Sequence, residues 1–310
     1  MKKFFIFIFI LLIYFFTNRY TYADSNIILN KPIIQFDEIK NYTLQGYGVV
    51  KDKLFMVLEG YDDTKSIIKV YDLNTYKEII SYNYKSLGHA NDVTYNKKTN
   101  KIYILASSGS NTIFTFNGDT FEYEDRFNIS LPARSITYLD DYNMYAIRTV
   151  TSGFLYNKDF KLDNKLPFVM GMNFSTELGR QGWSYYNKLI YYANWSWVRL
   201  GGDGANIIYV YNLKGKKLTN LYTAKDIGEL EGISFYNNKM VLGFNGYDGT
   251  IKFYMTDIPV VEIPQEEKII QEDVITIKKK NYNLYIFLVI ASFTIVVIIV
   301  IAFIKHKKSE

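Results

Sequence analysis

Five polar residues stand at a recurring place in the 310-residue chain: Gln45, Asn91, Arg134, Gln181 and Glu231. Their spacing, about 43 to 50 residues, is the length of one four-stranded propeller blade. Small or polar residues follow them, as in Gln45-Gly46, Asn91-Asp92, Arg134-Ser135, Gln181-Gly182 and Glu231-Gly232. Glu231, Asp92 and the nearby Glu229 have the carboxylates that acid/base chemistry needs. Arg134 offers a fixed cation for an acidic group, and the amides can orient hydroxyls or other amides. Trp195 and Trp197, two apart on an extended segment, face the same way and offer a stacking or protein-anchoring surface. Each residue also has a structural reading, in which the polar groups close a ring by bonding loop backbone and the tryptophans pack under a long loop. His89 lies beside the set and is the only histidine outside the C-terminal tail, so no histidine-ligated metal site is expected.

The elements that must position these residues are clearest in Glu229 to Asp257. Ile233-Ser234-Phe235, Met240 to Phe244 and Ile251 to Met255 are short apolar, aromatic or β-branched runs. Asn237-Asn238 and Asn245-Gly246-Tyr247-Asp248-Gly249 separate them, which reads as antiparallel strands joined by hairpins. The same unit recurs five times. Its second strands align at Leu54–Leu58, Ile102–Leu105, Met144–Ile147, Leu189–Tyr192 and Met240–Phe244. The expected fold is all-β, a five-bladed β-propeller over residues 24–258. The last copy shows three strands, and the isolated segment Ile33 to Ile39 is expected to supply its outer strand and so close the ring. In such a ring the first strand of each blade starts on the face to which the hairpin between strands two and three returns. That convergence makes a ligand-binding set of Gln45, His89, Asn91, Asp92, Arg134, Gln181, Trp195, Trp197 and Glu231, with Glu59 and Arg148 close by.

The flanks read differently. Lys2-Lys3, the apolar run Phe4 to Phe16 and Thr21-Tyr22-Ala23 make residues 1–23 a secretory signal peptide. Residues 284–304 carry no charge and would form a helix of about 31 Å, enough to cross a bilayer. Residues 259–283, with Pro259, Pro264 and many charges, read as a stalk, and 305–310 as a cytoplasmic tail. The expected location is a cell membrane, crossed once, with the propeller outside. The formal net charge of +5 comes from the flanks, because residues 24–258 hold nearly equal numbers of acidic and basic residues. A nucleic-acid partner is therefore not expected. Cysteine is absent, which excludes disulfides and thiol chemistry. The Gly201–Gly204 run lacks EF-hand spacing, no nucleophile-elbow or phosphate-loop motif occurs, and no cofactor is expected.

Blade by blade, residues 42–257 resemble the secreted five-bladed glutaminyl cyclases of plants and bacteria. Tyr42-Thr43-Leu44-Gln45-Gly46 is similar to their opening Thr-Gln-Gly, Leu73 to Lys77 follows their first blade, and Tyr191-Tyr192-Ala193-Asn194-Trp195 resembles their Tyr-Ala-Asn segment. The resemblance implies a propeller. It does not carry the activity across, because Ala90-Asn91-Asp92 replaces the family's Gly-Glu-Gly and Arg134 replaces an aromatic residue. Asn cannot shuttle a proton as Glu does. Two functions follow as expectations. One is a membrane-tethered module that binds an extracellular glycan, peptide or protein. The other is an exported enzyme, of hydrolase, lyase or glutaminyl-cyclase-like type, acting through the carboxylates.

Overall fold

The computed structural model describes residues 24–261 apart from 61–64, 86, 91, 107–109, 150–151, 164–177 and 197–203, and apart from the side chains of 178–180 and 196. The signal segment, the transmembrane stretch, the tail and nearly all of the stalk lie outside the described residues, as do Asn91 and Trp197. The chain divides into two units, Met1–Glu262 and Ile263–Glu310, and the propeller belongs to the first.

Two short strands, β1 (Ser25–Asn26) and β2 (Ile34–Asp37), precede the first blade. Blade 1 is β3 (Tyr42–Val50), β4 (Lys53–Gly60), β5 (Lys65–Asp72) and β6 (Glu78–Lys85). Blade 2 is β7 (Asp92–Asn96), β8 (Lys101–Leu105), β9 (Thr112–Asn117) and β10 (Tyr123–Asn128). Blade 3 has β11 (Ser135–Leu139), β12 (Met144–Arg148) and β13 (Gly153–Tyr156). Blade 4 is β14 (Leu178–Tyr186), β15 (Leu189–Ser196), β16 (Asn206–Asn212) and β17 (Lys217–Thr223). Blade 5 is β18 (Gly228–Tyr236), β19 (Lys239–Gly246) and β20 (Thr250–Asp257). Neighbouring strands within each blade pair antiparallel, so the protein is a five-bladed β-propeller.

Ring closure follows the expected route. β2 pairs antiparallel with β20, Ile34 opposite Phe253 and Asp37 opposite Thr250, and completes blade 5 with a fourth strand. Two features depart from the sequence reading. Among the described residues blade 3 holds three strands rather than four. The chain start also adds β1 to the edge of blade 4, parallel to β17, with Ser25 opposite Leu221. One stretch of 14 residues or so thus covers two sheet edges, each of which would otherwise present unpaired backbone groups.

The period-2 geometry of strands explains why the second strand of each blade is apolar throughout. In β4, Leu54, Met56 and Leu58 pack toward blade 5 in one cluster with Tyr47, Val241 and Phe253. Phe55 and Val57 point the other way, into a cluster with Ile102, Ile104 and Phe116 of blade 2. A strand buried on both faces needs both alternating sets to be hydrophobic. The interface of blades 3 and 4 repeats the arrangement around Ala146, Leu155, Trp183 and Tyr192. Trp183 is fully buried in this core.

Candidate functional site

The strand starts do meet around one end of the channel, but their side chains are turned inward to each other and to backbone. Asp92 opens β7 and is buried. Its Oδ2 accepts the Ile136 N–H at 2.9 Å and the Trp183 N–H at 3.2 Å, while Oδ1 accepts its neighbour Val93 N–H at 3.1 Å. One carboxyl group therefore ties blades 2, 3 and 4 together. A Cβ on Gly182 would stand 2.8 Å from Asp92 Oδ1, so residue 182 must be glycine for the carboxyl to sit there. Burial pushes the Asp92 pKa up to about 8, against the pull of the three N–H donors and Arg148.

Arg148 is buried beside it. Its Nε and Nη2 donate to Ser135 Oγ at 3.1 and 2.8 Å, and its guanidinium lies over the Tyr192 ring, 4.7 Å from the centroid. Glu231 is also buried and accepts Asn245 Nδ2 at 2.5 Å. Burial first, and then the charge of Glu229, raise its pKa well above the ordinary carboxylate range, and the Asn245 bond opposes them. Asn245 in turn bonds the Leu44 backbone in both directions, each at 3.0 Å, joining blade 5 to blade 1.

Gln181, Gln45 and Trp195 also have side-chain partners within the protein. Gln181, half-buried, donates to Glu229 Oε1 at 2.7 Å, and Gln45 to Thr43 Oγ1 at 2.6 Å. Trp195 is 8% exposed and its Nε1 donates to the hydroxyl of Tyr247 at 3.2 Å. Arg134 is half-buried at the start of blade 3, its backbone N–H bonded to Arg148 O at 2.6 Å, and His89 is exposed. Glu59 is buried and accepts from Ser66 Oγ. The structure thus brings Asp92, Arg148, Gln181, Glu229 and Glu231 into one polar seam. Asp92 and Glu231 are buried, with both carboxyls among internal donors. Among the described residues no cluster of His, Asp and Glu is arranged to hold a metal ion.

The cavity lies at the other end of the channel, where the first strands finish and turn back. It encloses about 890 Å³ and every blade contributes to it. Its floor is a ring of short hydroxyl side chains that stitch neighbouring blades. Thr94 Oγ1 accepts Tyr138 N–H at 2.8 Å, Thr137 Oγ1 accepts Tyr185 N–H at 3.0 Å, and Ser234 Oγ accepts Val49 N–H at 2.9 Å. Ser184 Oγ donates to Ile233 O at 2.5 Å. Blades 1 and 2 need no such link. A Cβ on Gly46 would fall 2.1 Å from Ala90 O, so glycine there lets the two backbones touch directly.

Aromatic residues share the lining: Tyr95, Tyr138, Tyr185, Tyr186, Phe235 and Tyr236, several of them packed into the cores between blades. Each phenol hydroxyl is held by a short side-chain acceptor near a turn. The bonds are Tyr95 to Asn100 Oδ1 at 2.9 Å, Tyr138 to Asn143 Oδ1 at 2.9 Å, and Tyr185 to Asp141 Oδ2 at 2.5 Å. Tyr186 reaches Asn238 Oδ1 and Tyr236 reaches Asn74 Oδ1, both at 2.8 Å. Tyr186 and Phe235 stack at 4.5 Å with 18° between planes. Burial and Asp141 hold the Tyr185 phenol protonated well above its ordinary value. The rim is equally fixed. Asn187-Lys188 and Asn237-Asn238 have positive φ at both turn residues, the backbone of a two-residue type I′ hairpin.

Sequence reasoning missed this funnel, although its signal follows the same repeat. Aromatic residues end the first strand of four blades, as in Tyr95-Asn96 and Tyr185-Tyr186-Asn187. They read there as ordinary strand residues, because their convergence exists only once the ring closes.

The fold is similar to that of several solved structures. The tail fibre of Staphylococcus aureus phage P68 matches with a TM-score of 0.51 at 14% identity, over 83% of this chain and 57% of that one. A Bacteroides thetaiotaomicron structural genomics protein of unknown function matches at 0.44 and 10%, over 76% and 67%. Hydrazine synthase of Kuenenia stuttgartiensis matches at 0.40 and 9%, over 79% of this chain and 61% of that one. No family model and no curated protein matches the sequence. Neither result supports the glutaminyl-cyclase resemblance beyond the architecture, and at these identities the likeness extends to the fold alone: a five-bladed β-propeller.

Proposed function

We propose that this protein is a ligand-binding or protein-interaction module held at the cell surface, and that it binds through the aromatic funnel at the strand-end mouth of the propeller. The observation that carries this is the cavity of about 890 Å³, lined by aromatic residues from four blades whose hydroxyls are held by nearby side chains. Ligand sites are concave, largely preformed and lined by aromatic groups with a few placed polar ones. At the opposite end, the polar groups bond one another and so serve ring closure. Membrane tethering through residues 284–304, with the propeller outside, is the part of the proposal that rests on sequence alone.

Two experiments test it. Full-length protein, with Tyr185→Ala or Tyr186→Ala variants beside Arg134→Ala and Trp195→Ala, is offered a mixed library of labelled oligosaccharides and peptides. Loss of retention in the funnel variants alone supports the funnel; loss in Arg134→Ala or Trp195→Ala alone places the site at the strand starts. Protease applied to intact cells should release a folded fragment ending between Pro259 and Lys280, and a protected full-length chain refutes the outside placement.

A second reading has one specific observation behind it. Glu231 and Glu229 interact, and burial with the Glu229 charge raises the Glu231 carboxyl well above the ordinary range, as for the acid group of exported hydrolases, lyases or glutaminyl-cyclase-like enzymes. Turnover of a library substrate that Glu231→Gln abolishes without loss of binding would establish this enzyme.

A further inference from the structure

The geometry points to an uncharged carbohydrate as the ligand of the strand-end funnel, an inference that rests on that cavity being the binding site.

Charge comes first. The charged residues that line the funnel are Lys51, Lys97, Asp140 and Asp141, two of each sign. All four have partners of their own. Lys51 is paired with Asp119, Lys97 Nζ lies 2.6 Å from Asp140 Oδ2, and Asp141 accepts the Tyr185 hydroxyl. A phosphate, sulfate or uronate would find no cation without a carboxylate already at its side, and a cationic ligand meets the converse. Recognition of charged groups works through opposed charge that the ligand itself satisfies. The funnel therefore suits a ligand with no net charge.

The arrangement of apolar and polar groups narrows the class. A peptide anchor, such as a leucine or phenylalanine side chain, gains its affinity by filling a desolvated apolar pocket. The lining of this cavity instead includes the hydroxyls of Thr94, Thr137, Ser184 and Ser234, whose oxygens keep spare donor or acceptor capacity beyond their backbone bonds. Half-buried Tyr186 and Phe235 share that lining with Asn187, Asn237 and Asn238. A sugar has the complementary distribution. Its C–H faces lie on aromatic rings, while hydroxyls around its edge each need a partner that can both give and accept hydrogen bonds, as an amide does.

Preorganisation is already present. Tethered phenols and type I′ turns with positive φ at Asn187, Asn237 and Asn238 leave little rotamer or backbone freedom to lose on binding. Such rigidity matters for hydroxyl-rich ligands, whose hydrogen bonds to protein barely exceed those they give up to water.

The test uses full-length protein on an array holding neutral oligosaccharides, sulfated and uronic-acid oligosaccharides, and peptides, all at millimolar equivalent concentration. Three proteins are compared: wild type, Tyr185→Ala, and the double variant Asn237→Gly/Asn238→Gly. Glycine keeps the positive φ of the turn while removing both rim amides and, with Asn238, the acceptor of the Tyr186 hydroxyl. Wild type is expected to retain neutral oligosaccharides at least tenfold better than charged ones, and each variant to lose at least tenfold in that binding. The thermal midpoint of the glycine variant should stay within a few degrees of wild type. Retention of peptides or charged oligosaccharides, abolished by the same substitutions, overturns the carbohydrate inference and leaves the funnel as the site. Neutral glycan binding that both variants leave untouched overturns the funnel itself. Absence of any neutral glycan bound at these concentrations overturns the inference as well.

Discussion

The two ends of the channel are built from the same five strands and differ in what their polar groups face. At the strand starts, Asp92 accepts backbone N–H groups of blades 3 and 4, while Arg148 and Glu231 bond the Ser135 and Asn245 side chains of their own blades. At the strand ends, the linking task falls to short hydroxyls, and the long aromatic side chains above them leave a cavity. The lesson is geometric. A carboxyl with two acceptor oxygens joins three blades at Asp92, whereas each threonine hydroxyl links only one adjacent blade.

The largest effect expected from breaking this contrast is loss of the ring itself. Removing residues 24–40 strips β1 from β17 and β2 from β20, exposing two sheet edges. Cooperative melting should disappear and aggregation rise. A truncated protein with an unchanged transition would show that neither strand is needed for closure.

Next comes the rivet. Asp92→Ala leaves three backbone N–H groups from three blades without their acceptor, each unsatisfied buried donor costing about 1–3 kcal/mol. A loss on the order of 4 kcal/mol in denaturant unfolding is expected. A midpoint near wild type would mean that the strand-start seam is dispensable and its residues are open to another role.

Acidity sharpens the same point. Asp92 and Glu231 both have folded-state pKa values raised by burial, Asp92 to about 8. Between roughly pH 4 and 8 the folded protein therefore holds protons that the unfolded chain releases, and unfolding free energy falls as pH rises. Asp72 and Asp248, both lowered to about 2, act oppositely and only in more acid solution. The thermal midpoint should be higher near pH 5 than near pH 8, with a shallower slope in Asp92→Asn. A midpoint that climbs steadily from pH 5 to pH 8 would contradict the assignment.

Funnel substitutions should act on binding far more than on folding. Tyr186→Ala removes a ring stacked on Phe235 and a hydroxyl bonded to Asn238, and is expected to weaken ligand capture more than tenfold, about 1.4 kcal/mol. Tyr236→Phe gives the smallest effect. It deletes one exposed hydroxyl bond to Asn74, which should cost about 1 kcal/mol of stability or less, with affinity lowered only slightly.

Much of this molecule was legible in the sequence. The repeat, the five apolar second strands and the orphan segment that became β2 all follow from local rules, because strand periodicity and turn chemistry act over a few residues. The position of the polar seam was legible too, since equivalent positions in equivalent blades must meet. What the linear sequence does not contain is the distance from each side chain to its partner in another blade. Asp92 is just an acidic residue until Ile136 and Trp183, 44 and 91 residues away, bring their N–H groups to its carboxyl. Tyr95, Tyr138 and Tyr185 are strand-end tyrosines until the ring gathers them around one cavity. Local chemistry determined the blades. Only the closed tertiary structure decided which side chains meet at each end of the channel and that the strand ends gather around a cavity.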